Sequence, residues 1–110
     1  MNENLEMIRG DTFSFDLEIE DLSSDLTSAY FSCKKNKDDE EYLFQKSLEN
    51  GIEKIDSTDT SRTYKFTLSP NDTNDFEKGN YFYDIQIVVN DDVFTPFIGI
   101  LRIIDDVTRN

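Results

Sequence analysis

The feature that most constrains the fold of this chain is a period of two in its apolar residues. Apolar and polar side chains alternate from Phe13 to Ile19, and again from Tyr81 to Val89. Successive side chains of a β-strand point to opposite faces, so this alternation predicts strands with one buried face. Shorter alternating runs surround Phe31 and Phe66. The periodicity therefore predicts an all-β fold.

Turn signals between these runs recur at a spacing of roughly ten residues, which is typical of a β-sandwich. Asn50-Gly51 and Asn90-Asp91-Asp92 predict tight turns. Ser69-Pro70 predicts one short helical turn near residues 70–76, closed by Gly79. The pattern predicts an immunoglobulin-like antiparallel β-sandwich of seven to eight strands.

The segment Gly79-Asn80-Tyr81 places a tyrosine at the start of the longest alternating run. In immunoglobulin-like sandwiches such a tyrosine bonds back to the backbone at the corner between the sheets. Tyr81 is therefore a candidate tyrosine corner, and the alternative is a buried aromatic side chain. In the last strand we expect Pro96 to interrupt the ladder, because proline lacks an N–H donor, and Gly99 to mark a bulge.

The chain contains no histidine, which removes the usual general base near neutral pH and the commonest metal ligand. Its four glycines are isolated, so no phosphate-binding loop is present. Asp38-Asp39-Glu40-Glu41 lacks the spacing of a calcium loop and predicts a solvated hairpin tip. Arg9-Gly10-Asp11 spells a tripeptide that integrins read, which we attribute to chance. We expect no catalysis, metal, cofactor or small-molecule substrate.

The only cysteine is Cys33, so no disulfide can form within the chain. Small secreted domains usually depend on disulfides, and the N-terminus lacks the features of a signal peptide. These observations predict synthesis in a reducing cytosol, with Cys33 buried as a small apolar side chain. The 110 residues are enough for one domain, which we place over residues 1–110.

The formal net charge is −13, from 24 acidic and 11 basic residues. Phosphate contacts need lysine and arginine, so the charge argues against direct binding of nucleic acid and of anionic membranes. No segment has the roughly 18 apolar residues of a membrane helix. The acidity also leaves open a different role, in which the chain docks on a basic protein surface.

Apolar residues fall on both faces of the last two predicted strands, although the wet face of an antiparallel sheet is normally polar. This predicts that part of the outer face is covered. The cover is either the N-terminal segment Leu5–Ile8 or a partner subunit. The candidate docking residues are Phe82, Val88, Ile100 and Ile104.

Several ordered segments carry a resemblance to a known family. They are Ile8-Arg9-Gly10-Asp11-Thr12-Phe13-Ser14-Phe15, Leu68-Ser69-Pro70-Asn71-Asp72-Thr73, Gly79-Asn80-Tyr81-Phe82-Tyr83-Asp84-Ile85-Gln86, Gly99-Ile100-Leu101-Arg102-Ile103 and Asp105-Asp106-Val107-Thr108-Arg109. In this order and spacing the chain resembles the small β-sandwich domains of tailed-phage virion proteins. These include the N-terminal domain of upper baseplate proteins of phages of Gram-positive bacteria.

The resemblance implies a non-catalytic structural or accessory protein of a tailed-phage or prophage particle. Its partners would be tail, baseplate or capsid proteins or further copies of itself, with a trimer favoured among homo-oligomers. It would occupy the host cytoplasm during synthesis and then the virion. Because the chain ends at Asn110 without a downstream arm, we expect a stand-alone accessory subunit. The alternative function is an acidic phage-encoded inhibitor that binds a basic, nucleic-acid-binding protein surface.

Overall fold

Eight β-strands and one short helix make up residues 3–105, the part of the chain that the computed structural model describes. The helix, α1, spans Pro70–Thr73. The strands are β1 (Leu5–Ile8), β2 (Phe13–Glu20), β3 (Ser28–Lys34), β4 (Phe44–Leu48), β5 (Gly51–Ser57), β6 (Ser61–Leu68), β7 (Gly79–Val89) and β8 (Asp92–Ile104). The predicted all-β fold of seven to eight strands is confirmed. No helix within residues 3–105 is long and apolar enough to cross a membrane. Residues 106–109, which contribute to the resemblance, lie outside the described residues.

The strands form one hydrogen-bonded series in the order β1-β8-β7-β3-β4-β5-β6-β2. Its middle link is short, because β4 and β5 run parallel and share only two residue pairs. The series divides there into two layers, β1-β8-β7-β3-β4 and β5-β6-β2, whose aromatic side chains meet in the core. Asn50-Gly51 lies at this crossing, so the turn predicted there leads from one layer to the other and does not close a hairpin.

The core is centred on Phe31 of β3, which is fully buried. Its ring meets the rings of Phe15 on β2, Phe66 on β6, Tyr83 on β7 and Phe44 on β4, with centroids 5.3–6.1 Å apart. All four contacts are edge-to-face, the arrangement that the charge distribution of aromatic rings favours. Since two of the partners belong to the opposite layer, this cluster joins the two layers.

The strand order is that of an immunoglobulin-like sandwich. The layer β8-β7-β3-β4 corresponds to strands G-F-C-C′, and β2-β6-β5 to strands B-E-D. At the start of β7 the Tyr81 hydroxyl donates to the Glu77 carbonyl oxygen at 2.7 Å, which is the geometry of a tyrosine corner. Two residues further on, where antibody domains have the second disulfide cysteine, this chain has Tyr83. Aromatic packing around Phe31 therefore takes the place of the disulfide that links the two layers in antibody domains.

The predicted helical turn is present but shorter than expected. It ends at Thr73, and Gly79 begins β7 with a φ of 143° instead of ending the helix. Thr73 is buried and its hydroxyl accepts a hydrogen bond from the Gly10 N–H at 3.0 Å. Beyond it, the Phe76 ring stacks on Tyr81 with centroids 4.7 Å apart. These tertiary contacts take the chain out of the helix within one turn.

The N-terminal strand extends the sheet and does not cover its outer face. β1 pairs in parallel with β8, from Leu5–Leu101 to Ile8–Ile104, and Met7 is buried in the core. The prediction that Leu5–Ile8 covers the outer face is therefore wrong, because the backbone hydrogen bonds of this segment are made at the edge of the sheet.

Pro96 and Gly99 have different roles in β8. The register against β7 shifts between Ile85 and Ile87, opposite the stretch that holds Pro96, so the ladder is interrupted as expected. Gly99, by contrast, pairs regularly with Tyr83, and the predicted bulge at Gly99 is wrong. Glycine is needed there because the backbone of Glu3 crosses it, and the Glu3 carbonyl oxygen accepts a hydrogen bond from the Tyr83 hydroxyl.

Substitution of Gly99 by alanine tests this close approach. A Cβ at Gly99 would overlap the Glu3 carbonyl oxygen and lie 2.8 Å from its carbonyl carbon. We expect Gly99→Ala to lower the free energy of unfolding by about 1–3 kcal/mol in urea titrations. In a chain that starts at Asn4 the same substitution should cost little, because the obstructing group is gone. An equal cost in both backgrounds would contradict this explanation.

Substitution of Tyr81 by phenylalanine tests the tyrosine corner. The ring is kept and only the hydrogen bond to Glu77 is lost, so we expect the free energy of unfolding to fall by about 1 kcal/mol. Tyr30→Phe is the matched control, since within residues 3–105 the Tyr30 hydroxyl makes no hydrogen bond to the protein. If the two variants unfold at the same urea concentration, the corner bond contributes nothing to stability.

Candidate interaction surface

The four predicted docking residues lie on the outer face of β7 and β8, but the structure brings only two of them together. Phe82 and Ile100 are direct cross-strand partners. Val88 is six residues from Phe82 along β7, a distance of about 20 Å for an extended strand. Ile104 lies at the opposite end of β8, beside Ile8 of β1. All four side chains are partly buried.

Two further apolar residues complete the surface around Phe82 and Ile100. Ile98 lies opposite Asp84 on the same face and is 45% exposed, and Tyr42, just before β4, is 50% exposed. Tyr42, Phe82 and Ile98 line one groove of about 230 Å³, and Phe82, Ile98 and Ile100 line a second of about 280 Å³. We call Tyr42, Phe82, Ile98 and Ile100 the outer patch. Its shallow grooves suit side chains of a protein partner.

Sequence reasoning missed Ile98 and Tyr42 for separate reasons. Ile98 belongs to the regularly paired stretch of β8 that also holds Ile100, beyond the interruption near Pro96, so its facing follows from that of Ile100. Tyr42 lies before β4, which begins at Phe44, so alternation within a strand gives no facing for it. An alternation count restarted after Pro96 would have placed Ile98 and Ile100 on one face.

Lysine side chains border the outer patch although the chain is strongly acidic. The ammonium group of Lys34 lies 5.1 Å from the Tyr42 ring centroid, and that of Lys37 lies 5.3 Å from the Phe82 centroid. Both distances fall in the range of cation–π attraction. Within the described residues neither lysine is part of an ion pair, whereas Lys46, for example, is held by Asp72 at 2.7 Å. The border of the outer patch therefore carries positive charge from two lysines that form no ion pair among the described residues.

Asp84 is the one carboxylate among the residues that line these two grooves. Burial raises the pKa of its carboxyl group, and the positive charge of Lys34 opposes that shift. A partly desolvated carboxylate in apolar surroundings is stabilised when a partner brings a hydrogen-bond donor to it. Asp84 therefore offers a polar contact within a mostly apolar surface.

In the Arg9-Gly10-Asp11 tripeptide, the arginine side chain makes its contacts within the fold. The Arg9 guanidinium donates to the Phe76 carbonyl oxygen at 2.9 Å and contacts the Asp105 carboxylate at 2.7 Å. These contacts tie the turn after β1 to the segment after α1. The arginine side chain is therefore turned into the protein and not presented at a loop tip. Among residues 3–105, no three carboxylate or thiol side chains come together in a way that could hold a metal ion.

No protein-family model matches the chain, and no curated protein matches it. Among solved structures, the Ig1 domain of mouse SynCAM 2 is 18% identical, with a TM-score of 0.41 over 94% of this chain and 92% of that one. The extracellular domains of the voltage-gated sodium channel beta4 subunit, a parallel homodimer with a role in cell-cell adhesion, are 15% identical. Their TM-score is 0.40 over 96% of this chain and 93% of that one. Neither is a phage protein. The immunoglobulin-like assignment rests on the strand order and the tyrosine corner of the chain itself.

Labelling of Cys33 tests whether the chain carries a reactive thiol. The side chain is fully buried on β3, and burial raises the pKa of its thiol to about 12. At pH 8 only about one thiol in ten thousand would be ionised, and the thiolate is the reactive form. We expect no reaction with a chromogenic disulfide reagent in the folded protein and complete reaction in urea. Fast labelling under native conditions would show that the β3 core opens readily.

Proposed function

We propose that this protein is a non-catalytic structural or accessory subunit of a tailed-phage or prophage particle, which docks through its outer patch. The observation that carries the docking role is the open apolar surface of Tyr42, Phe82, Ile98 and Ile100 on an otherwise acidic molecule. The assignment to a phage particle is supported by the ordered sequence segments that resemble virion β-sandwich domains. The partner is a tail, baseplate or capsid protein, or a further copy of this chain.

The charge around the outer patch supports a partner with acidic groups facing it. Lys34 and Lys37 border the apolar residues, so carboxylates placed opposite them would be attracted to a surface that the rest of the molecule would repel. Apolar contact would supply affinity, and these charges would set the orientation of the partner.

The assignment to a particle is tested by isolating particles from the strain that encodes this chain, after induction of any prophage. We expect mass spectrometry to find the chain in density-purified particles at a fixed ratio to the major capsid protein. The molecular mass of the isolated protein in solution would show whether it forms a trimer. Absence from purified particles together with a monomeric mass at high concentration would contradict the proposal.

Substitution within the outer patch tests the docking surface itself. We expect Ile98→Asp to weaken binding to particles, or self-association, by about tenfold or more, because a charge replaces an exposed apolar contact. Ile55→Asp is the matched control, since Ile55 is equally exposed, at 47% against 45%, but lies on β5 in the other layer. Both variants should unfold at similar urea concentrations. Equal loss of binding in the two would show that the outer patch is not the docking surface.

A further inference from the structure

The strand β2 forms a long open edge of the sandwich. It pairs with β6 over eight consecutive residues without a register shift, and within residues 3–105 no strand lies on its other side. Such an edge presents a row of unpaired backbone N–H and C=O groups. Natural proteins protect such edges with a bulge, a proline, a very short strand or charged side chains, and of these devices β2 has only the charges of Asp16, Glu18 and Glu20.

The position of β1 explains why this edge is open. In immunoglobulin-like sandwiches the first strand lies beside the second, in the order A-B-E-D. Here the first described strand pairs instead with β8, at the opposite end of the series. The described layer β5-β6-β2 thus contains the equivalents of strands D, E and B, and it ends at β2.

The inner face of β2 is incompletely buried in a way that matches this edge. Every apolar side chain on it remains partly exposed, while the apolar side chains of the neighbouring β6 are 2% exposed or less. The partly exposed row comprises Phe13, Phe15, Leu17 and Ile19. An additional strand with its own inward apolar side chains would extend the core over this row.

The outer face of β2 specifies the charge of such a strand. Asp16, Glu18 and Glu20 alternate with the apolar row, are exposed, and form no ion pair within the described residues. A lysine or arginine directly opposite an acidic residue stabilises a strand pair, and a like charge destabilises it. A second copy of β2 would place acidic residues opposite these three, so the edge disfavours self-pairing.

We propose that the free edge of β2 binds an extended segment of another protein, in which apolar residues alternate with lysine or arginine. The segment adds as a strand next to β2, through backbone hydrogen bonds, in the mode known as β-strand addition. Its apolar side chains cover the row from Phe13 to Ile19, and its basic side chains face Asp16, Glu18 and Glu20. This site is separate from the outer patch, because β2 lies in the opposite layer.

The probe is an eight-residue peptide, the length of β2, in which valine or isoleucine alternates with lysine. Its binding to the full chain is followed by fluorescence anisotropy, and the protected backbone amides are located by hydrogen exchange. We expect added protection within Phe13–Glu20. Protection confined to other strands, or no saturable binding, would overturn the proposal.

Two N-methylated forms of the peptide separate strand addition from simple charge attraction. One form carries methyl groups on every valine or isoleucine nitrogen, and the other on every lysine nitrogen. Only one of these two sets of N–H groups faces β2 in an added strand, so we expect one form to lose about tenfold or more in affinity and the other to bind nearly as before. Equal affinities of the two forms would contradict strand addition.

Two triple variants with matched charge changes test the location of the site. Replacing Asp16, Glu18 and Glu20 by their amides should weaken peptide binding by about tenfold. Replacing Asp38, Asp39 and Glu40 by their amides removes the same charge from the loop between β3 and β4 and should change affinity by less than about twofold. If both variants lose affinity equally, the peptide binds to net charge alone. The Ile98→Asp variant should bind the peptide normally, which keeps this site distinguishable from the outer patch.

Discussion

The packing of aromatic rings around Phe31 is the interaction on which the rest of the structure depends. The two layers share only two backbone residue pairs, between β4 and β5, so side chains must hold them together. Phe31 does this from β3 through edge-to-face contacts with Phe15 and Phe66 of the facing layer. The chain has a single cysteine, and its sandwich is thus stabilised by packing where antibody domains add a covalent bridge. A core of this kind is compatible with a reducing compartment.

Charge distinguishes the two regions of the surface that we propose as binding sites. The outer patch has apolar residues bordered by Lys34 and Lys37, while the free edge of β2 has apolar residues beside three carboxylates. The two regions lie on opposite layers, so they could be engaged at the same time. A subunit with two unlike surfaces favours contacts between different proteins, or a head-to-tail arrangement, over a symmetric pair.

The sequence predicted those parts of the fold that depend on local pattern. Alternation identified β2 and β7 and the buried face of each, and Gly-x-Tyr pointed to the corner residue Tyr81. It did not predict where β1 pairs, because the choice between covering a face and extending an edge depends on residues almost a hundred positions away. The role of Gly99 was missed for the same reason, since its neighbour is the backbone of Glu3. Half of the outer patch was missed: Ile98 follows by alternation from Ile100, but Tyr42 lies outside the strands, where alternation gives no facing.

The pairing of β1 with β8 has a consequence for the order in which the protein can form. β1 is synthesised well before its pairing partner β8, so its backbone groups stay without that partner until Ile104 has emerged. Contacts of such long sequence separation are slow to close, because the chain entropy is lost before the contact is gained. During synthesis the growing chain therefore exposes an unpaired segment, β1, and an open edge, β2, and the acidic side chains near both would keep neighbouring nascent chains apart.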